Sequence, residues 1–457
     1  MARKIQRISL SAVLIVVVTA DVAAAQHACL HEKLTASDGK HDDGFGWGLA
    51  LCGPVAAVGA FGAMDHGYFT GAVYILEHDG AGWAERARIV APDAAQSDYF
   101  GVSVAMSPGL LVAGAPGAFP SDESGKVHIF RNYDGQWLHE HTLIGSQAGP
   151  SARFGRSVAV QGTRIVVGSA EDYYVADTGK AYVFEVDPDN PDEGWKEVAA
   201  LRASDGAGKD QFGTAVAISG DCVIVGAPQH GNSNAGAGYV FRRTPDGEWV
   251  EEAKFPASTG SQAGSAVAIS GNLAVMGRPG GSNGRIDIYR HDGTAWVFEH
   301  FVSSGSNRFG WSVACEGDIV VAGGRSDWDY GGKHVARVYR RQGGAWVLTD
   351  GLRTDWPPVT DDFSRTLAMD GNVVLVGAYR DGTDPFNQPG AAYVFGLNGC
   401  SYCPADFNID GAVNSLDVLA FLTAYVAGEP TADFNGDGTV NTLDVLAFLG
   451  AWSAGCE

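Results

Sequence analysis

From Phe45 onward, short apolar runs alternate with breaks rich in Gly, Asp and Ser, and the alternation recurs along most of the chain. Two copies show the unit best: "FGVSVAMSPGLLVAGAP" (100 to 116) and "FGTAVAISGDCVIVGAP" (212 to 228). Within the second, "AVAIS" and "CVIVGA" are β-branched runs split by a Ser-Gly-Asp turn, "AGYVF" alternates, and "DGEWVEEAKF" restarts after Asp-Gly. That pattern predicts four strands joined by hairpin turns. Related openings fall at Phe45, Phe100, Phe154, Phe212, Ala263, Phe309 and Phe363, spaced by 46 to 58 residues. A Trp opens the fourth strand in six units, at 83, 137, 195, 249, 296 and 346.

A single four-stranded unit buries its two faces only against neighbours, so seven repeats predict a ring of blades, a seven-bladed β-propeller over residues 26 to 399. The seventh unit lacks a fourth strand of its own. Residues 27 to 39, "HACLHEKLTASDG", match the fourth-strand pattern "WKEVAALRASDG" with no first three strands ahead of them, and are expected to close the ring. The Phe-Gly and Gly-Ala-Pro units resemble FG-GAP repeats, the blades of the integrin α-subunit propeller and of many secreted bacterial proteins. That resemblance implies a platform for a protein or glycan ligand, read on the face carrying the loops between strands two and three and between blades. In that family several blades carry a DxDxDG calcium loop. Here "SAEDYYVADTG" (169 to 179), "GRSDWDYGG" (324 to 332) and "AYRDGTDPFNQPG" (378 to 390) hold acids without that spacing.

Composition sets the surroundings. Residues 1 to 25 read as a secretory signal, with basic Arg3, Lys4 and Arg7, an apolar run from Ile8 to Val18, and three alanines before Gln26. An exported, extracellular or cell-surface protein is expected, and no later stretch is apolar enough for a membrane anchor. The formal charge is −22, which disfavours nucleic acid and anionic membranes as partners. Export permits disulfides among seven cysteines. Cys52, Cys222 and Cys315 sit in or beside strand runs and read as small buried hydrophobes. Cys29 and Cys400 fall near the closing turn and could tie the ring; Cys400 or Cys403 with Cys456 is the competing arrangement.

The tail, 400 to 457, carries a different signal. "ADFNIDGAVNSLDVLAFLTAYVAG" and "ADFNGDGTVNTLDVLAFLGAWSAG" agree at 18 of 24 positions, 27 residues apart. Asp406, Asn408, Asp410, Ala412, Asn414 and Asp417 take positions 1, 3, 5, 7, 9 and 12 of a 12-residue loop; Asp433, Asn435, Asp437, Thr439, Asn441 and Asp444 repeat them. A hard cation wants six to eight oxygens, and this spacing wraps the side chains and the position-7 carbonyl around one Ca²⁺ per loop, with Gly at 6 for the turn. Each loop runs into "LDVLAFL", a helix whose apolar face needs a partner, so two half-hands are expected to pack about a pseudo-twofold. The tail closely resembles a type I dockerin, a small α-helical domain with two EF-hand-like calcium loops. The resemblance implies docking on a cohesin-type module of an extracellular, often polysaccharide-degrading, assembly, through Ser415, Leu416, Thr442 and Leu443. Many members carry a hydroxyl where this chain has Leu416 and Leu443.

Glycoside hydrolysis needs paired carboxylates and most other acid/base chemistry a His or an acid near the axis. The residues after each Phe-Gly position are Trp47, Val102, Arg156, Thr214, Ser265, Trp311 and Arg365, none of them acidic or His. Signal, ring and tail account for the 457 residues. The expected function is therefore non-catalytic: a propeller that binds a ligand, with Tyr173, Tyr174, Trp328 and Tyr330 as candidate contacts, and a tail that docks it. The alternative is a carbohydrate-active propeller enzyme delivered by the same tail. A third reading makes the tail a calcium-dependent clamp for this chain's own propeller or for cell-surface assembly.

Overall fold

A β-branched run of six residues can be apolar throughout only when both of its faces are covered, and the second strand of each blade meets that condition. Cys222–Ala227, "CVIVGA", is buried at every position, as is Leu110–Ala115. The computed structural model describes residues 29–65, 67–80, 82–117, 124–170, 178–186, 194–281, 284–303, 308–324, 336–352, 362–382, 387–397, 415–427 and 440–454, with Ala432 and Phe434. Seven four-stranded antiparallel sheets result. Blade 1 is typical, with strands Phe45–Cys52, Val55–Ala60, Ala72–His78 and Trp83–Ile89 paired in sequence order. The innermost strands of blades 2 to 7 are Ser103–Ser107, Phe154–Gln161, Ala215–Ser219, Val267–Ser270, Phe309–Glu316 and Leu367–Asp370. In blade 7 the outermost strand is Cys29–Leu34, antiparallel to Ala391–Gly396 with Leu34 opposite Ala392. Chain ends far apart in sequence thus share one sheet, so the ring closes by hydrogen bonds rather than by packing alone.

The opening Phe of each unit is the wedge between blades. Phe45, Phe100, Phe154, Phe212, Phe309 and Phe363 are all essentially fully buried. Most meet an aromatic ring on the third strand of the same blade edge-on, as Phe45 meets Tyr74 at 5.3 Å and Phe212 meets Tyr239 at 5.6 Å. Blade 5 has Ala263 instead, and Phe255 of blade 4 fills the gap by stacking on Tyr289 at 3.7 Å. The position that holds Leu143 or Leu201 elsewhere has grown to Phe where its neighbour shrank, which conserves core volume.

Glycine of the Gly-Ala-Pro ending has a steric reason. A Cβ on Gly59 would lie 1.9 Å from the carbonyl oxygen of Gly101 in the next blade, and Gly226 stands in the same relation to Gly264. Blade 7 departs from the Phe-Gly rule: Ser364 takes the left-handed position (φ 67°), held by its hydroxyl donating to the Gly324 carbonyl at 3.1 Å. The outer-strand Trp explains itself similarly. Trp195, Trp296 and Trp346 each donate Nε1–H to a glutamate of the preceding blade, Glu140, Glu252 and Glu299, at 3.0, 2.9 and 3.3 Å. Each bond contributes about 1 kcal/mol net.

The tail contributes two helices of 13 residues, α1 (Ser415–Ala427) and α2 (Thr442–Ala454). Phe421 and Phe448, 27 residues apart, stack on each other at 4.3 Å with planes 10° apart, and Phe434 meets Phe448 edge-on at 5.5 Å. Self-equivalent residues in contact define a pseudo-twofold between the repeats. Among the described residues no helix is long and apolar enough to cross a membrane.

Candidate functional site

The seven innermost strands run side by side around the axis, so residues at one position after each Phe-Gly pair form a ring. A cavity of about 250 Å³ opens there, lined by three such layers. One is an apolar belt of Val104, Val158, Val216, Val267 and Val313 completed by Leu49 and Leu367. The middle layer is small and hydroxylated, and its donors are committed to the ring itself. Ser103 Oγ donates to the Gly155 carbonyl at 2.7 Å, Ser157 to Gly213 at 2.9 Å, Ser312 to Ser364 at 2.7 Å and Thr366 to Gly46 at 2.7 Å. Each stitches one blade to the next.

The outermost layer is where blades differ. Trp311, Arg365 and Trp47 are consecutive around the ring, and Arg365 lies between the two indoles, its guanidinium 4.3 Å from the Trp47 ring centre and 5.2 Å from that of Trp311. Tyr379 adds a third ring at 5.5 Å and meets Trp47 edge-on. Stacked cation–π contacts of this kind fix a guanidinium that would otherwise sweep the opening. The other side of the ring is small. Val102, Thr214 and Ser265 leave open space around Arg156. Thr214 and Ser265 donate their hydroxyls to the turn carbonyls of Gln211 and Gln262 at 2.8 and 2.7 Å, so they offer no donor to the cavity.

Arg156 therefore carries the site's electrostatics. Burial, followed by the Arg153 and Arg365 guanidiniums, pushes it down to about 10. No Asp, Glu or His is among the described lining residues. Arginines gathered without an acid at the axis contrast with the outer strands, where Arg131, Arg242 and Arg290 each pair with a glutamate. The arrangement can hold an anion or a polar ligand; among the described lining residues it has no carboxylate or imidazole to move a proton. Sequence reasoning located this layer and read it for missing acids; that Arg156 and Arg365 differ so much in surroundings depends on which blades are neighbours, which the ring alone reveals.

Other expectations divide by position. Tyr173, Tyr174, Trp328 and Tyr330 lie outside the described residues, as do Asp406, Asn408, Asp410, Ala412, Asn414, Asp433, Asn435, Asp437 and Thr439. Of the calcium-loop calls, Asp417, Asn441 and Asp444 are described. Asp417 and Asp444 occupy equivalent places in the first turns of α1 and α2 and are both fully buried. Asn441 Oδ1 accepts from the Leu443 amide at 2.8 Å while Asp444 Oδ2 accepts from the Asn441 amide at 2.7 Å, a reciprocal helix cap. A buried carboxylate at each loop's last position, with that of Asp444 turned back to Asn441, fits a cation site; an ordinary exposed cap would not need to be buried. Ser415, Thr442 and Leu443 are exposed, and the side chain of Leu416 lies outside the description. Cys52, Cys222 and Cys315 are free, with Cys222 buried and the others partly so; burial pushes the Cys315 thiol up to about 12. Cys29, Cys400, Cys403 and Cys456 have no described side chains.

These features define a mainly β, seven-bladed propeller of interblade Phe-Gly and Gly-Ala units. The chain carries FG-GAP repeats: the FG-GAP repeat model matches residues 30–76, 83–130, 137–184, 195–241 and 359–395. Four of the five matched stretches run from an outer strand into the next blade, the first of them beginning in the strand that closes the ring, and the fifth covers the first three strands of blade 7. No curated protein matches the chain.

Proposed function

We propose that this is a secreted, non-catalytic interaction protein whose propeller binds a ligand and whose calcium-loaded tail docks it on a cohesin-type module. The FG-GAP propeller fold supports the ligand-binding half. One observation carries the docking half: the two tail helices leave equivalent leucines in solvent. Leu419 and Leu446 are 62% and 67% exposed, and Leu422 and Leu449 are both 41% exposed. Their partners in sequence, Phe421 and Phe448, are fully buried, so the apolar excess is a second face on each helix rather than a frayed core. With Leu443, itself one of the expected docking residues, also exposed, α2 presents Leu443, Leu446 and Leu449 on successive turns. A pseudo-twofold repeat of such a face offers the partner two docking orientations.

Asp417 and Asp444, with the loop residues ahead of them, would hold two Ca²⁺ ions. Calcium, when bound, supplies the positive charge that lets clustered carboxylates share one small fold. This chain's own contribution is the Asn441–Asp444 cap, which fixes the start of α2, and the stacked phenylalanines that set the angle between helices.

The test uses the intact chain against immobilised cohesin-type modules. Capture is expected in calcium, lost in EDTA, retained in Leu419→Asp or Leu446→Asp alone, and lost in the double variant. Capture that ignores EDTA and the double variant would contradict the reading. The enzymatic alternative is examined by assaying the same chain on polysaccharide panels, where no turnover is expected.

A further inference from the structure

The axial opening combines a cavity, a guanidinium facing no acid among the described residues, and hydroxyl neighbours whose donors are already spent. From that combination we infer that the propeller axis is a carboxylate-binding site, in which Arg156 receives the anionic group of a small monocarboxylic acid through a forked pair of N–H donors. The inference deepens the reading of the propeller as a ligand platform and rests on it; it does not depend on the tail.

Three observations lead there. First, size: the cavity of about 250 Å³ admits a small organic acid, with Arg156 and the Val and Leu belt both in its lining, so a ligand can set an anionic group on the guanidinium and its carbon skeleton on the belt. Second, donors: Thr214, Ser265, Ser103, Ser157, Ser312 and Thr366 all donate to backbone carbonyls, which leaves guanidinium N–H groups to recognise the ligand. Third, charge: Arg156 is disfavoured as a cation by burial first and then by Arg153 and Arg365, and an anion beside it offsets both. On the seventh-blade side, Asp362 lies 3.8 Å from Arg380 and accepts from the Tyr379 hydroxyl. A planar fork suits a carboxylate, and one anionic group is favoured over several because the chain as a whole carries −22. Arg365, clamped by Trp47 and Trp311, contributes field more than reach.

Calorimetric titration of the full chain at low ionic strength, with acetate, glucuronate, sulfate and methyl glucoside as probes, decides the matter. Acetate and glucuronate are expected to bind and to raise the melting temperature, and methyl glucoside to do neither. Arg156→Gln should weaken glucuronate at least ~10-fold, the loss of one charge-assisted pair, and Arg156→Lys should recover part of it. Binding by the native chain should weaken as salt rises, as expected for a charge-assisted contact. Equal binding by Arg156→Gln with an unchanged melting profile overturns the assignment. So does sulfate binding with no carboxylate binding, or no heat from any anion, which would mean that a carboxylate of this chain already fills the place. Cohesin-module capture by Arg156→Gln is expected to match the native chain, so failure here and failure of the docking reading are read separately.

Discussion

The ring and the tail use the same residue, glycine, for opposite ends. In the ring, Gly59 is fixed by contact: the next blade's backbone occupies the space a side chain would take. In α2, Gly450 has nothing within 4 Å of where its Cβ would be. The ring is specified by close approach between repeats, each blade templating its neighbour. Among the described residues the tail's core is Phe421, Ala424, Ala432 and Phe448, with Val418, Tyr425, Phe434, Val440, Val445 and Trp452 partly buried against it, and two fully buried carboxylates stand in the first helical turns. A small core supplies little on its own, and on the proposed reading order in the tail depends on what its acidic loops hold. Order in the ring depends on geometry.

Substitutions that exploit this difference come in decreasing size. Gly59→Ala drives a methyl into the Gly101 carbonyl and is expected to cost about 3 kcal/mol, read as a lowered urea midpoint of the ring. Asp444→Ala removes both the cap on Asn441 and a proposed calcium ligand; a loss of about 2 kcal/mol confined to the tail helices is expected, with the ring's melting unchanged. Glu252→Gln weakens the Trp296 bond and the Arg242 pair and should cost the ring about 1 kcal/mol, measured by the same melt. Gly450→Ala should stabilise α2 by about 0.5–1 kcal/mol, the opposite sign from Gly59→Ala.

A pH prediction separates one blade from the rest. Blade 2 places His128 where blades 1 and 4 have Tyr74 and Tyr239, edge-on to Phe100. Burial holds it down to about 4 against an ordinary 6.5, with His139 and Lys126 adding to burial and Asp93 opposing it. The folded chain therefore takes up this proton later than the unfolded chain as pH falls. The stability is fully present above about 6.5 and is lost progressively toward 4. His128→Tyr should remove that part of the acid sensitivity, checked by melting temperature across the window.

Much of the ring was legible in the sequence because its signals are local and repeated. Seven related openings, five of them Phe-Gly, with period-two strands and Trp-led outer strands, mark the blades, and the orphan strand at 29–34 states the closure. What was not legible is what happens between blades. Ala263 looks like a defect in the sequence; only the neighbouring outer strand, with Phe255 stacked on Tyr289, shows it as one half of a volume exchange. Arg156 and Arg365 occupy the same place in their units, yet one is clamped by indoles and the other faces open space, because blades 6, 7 and 1 are bulky and blades 2, 4 and 5 are not. In the tail, the doubled loop was plain from spacing. That its last carboxylate also caps the helix is a three-residue relation that Asn441 and Asp444 do spell, as a capping box read for metal ligation first.

The division between a ring ordered by contact and a tail ordered by calcium is tested most directly by amide hydrogen exchange on the intact chain, with calcium and then with EDTA. Protection across 415–427 and 442–454 is expected to collapse in EDTA while the strands of all seven blades keep theirs. Equal protection of both helices in the two conditions, or a loss that spreads through the blades, would contradict it.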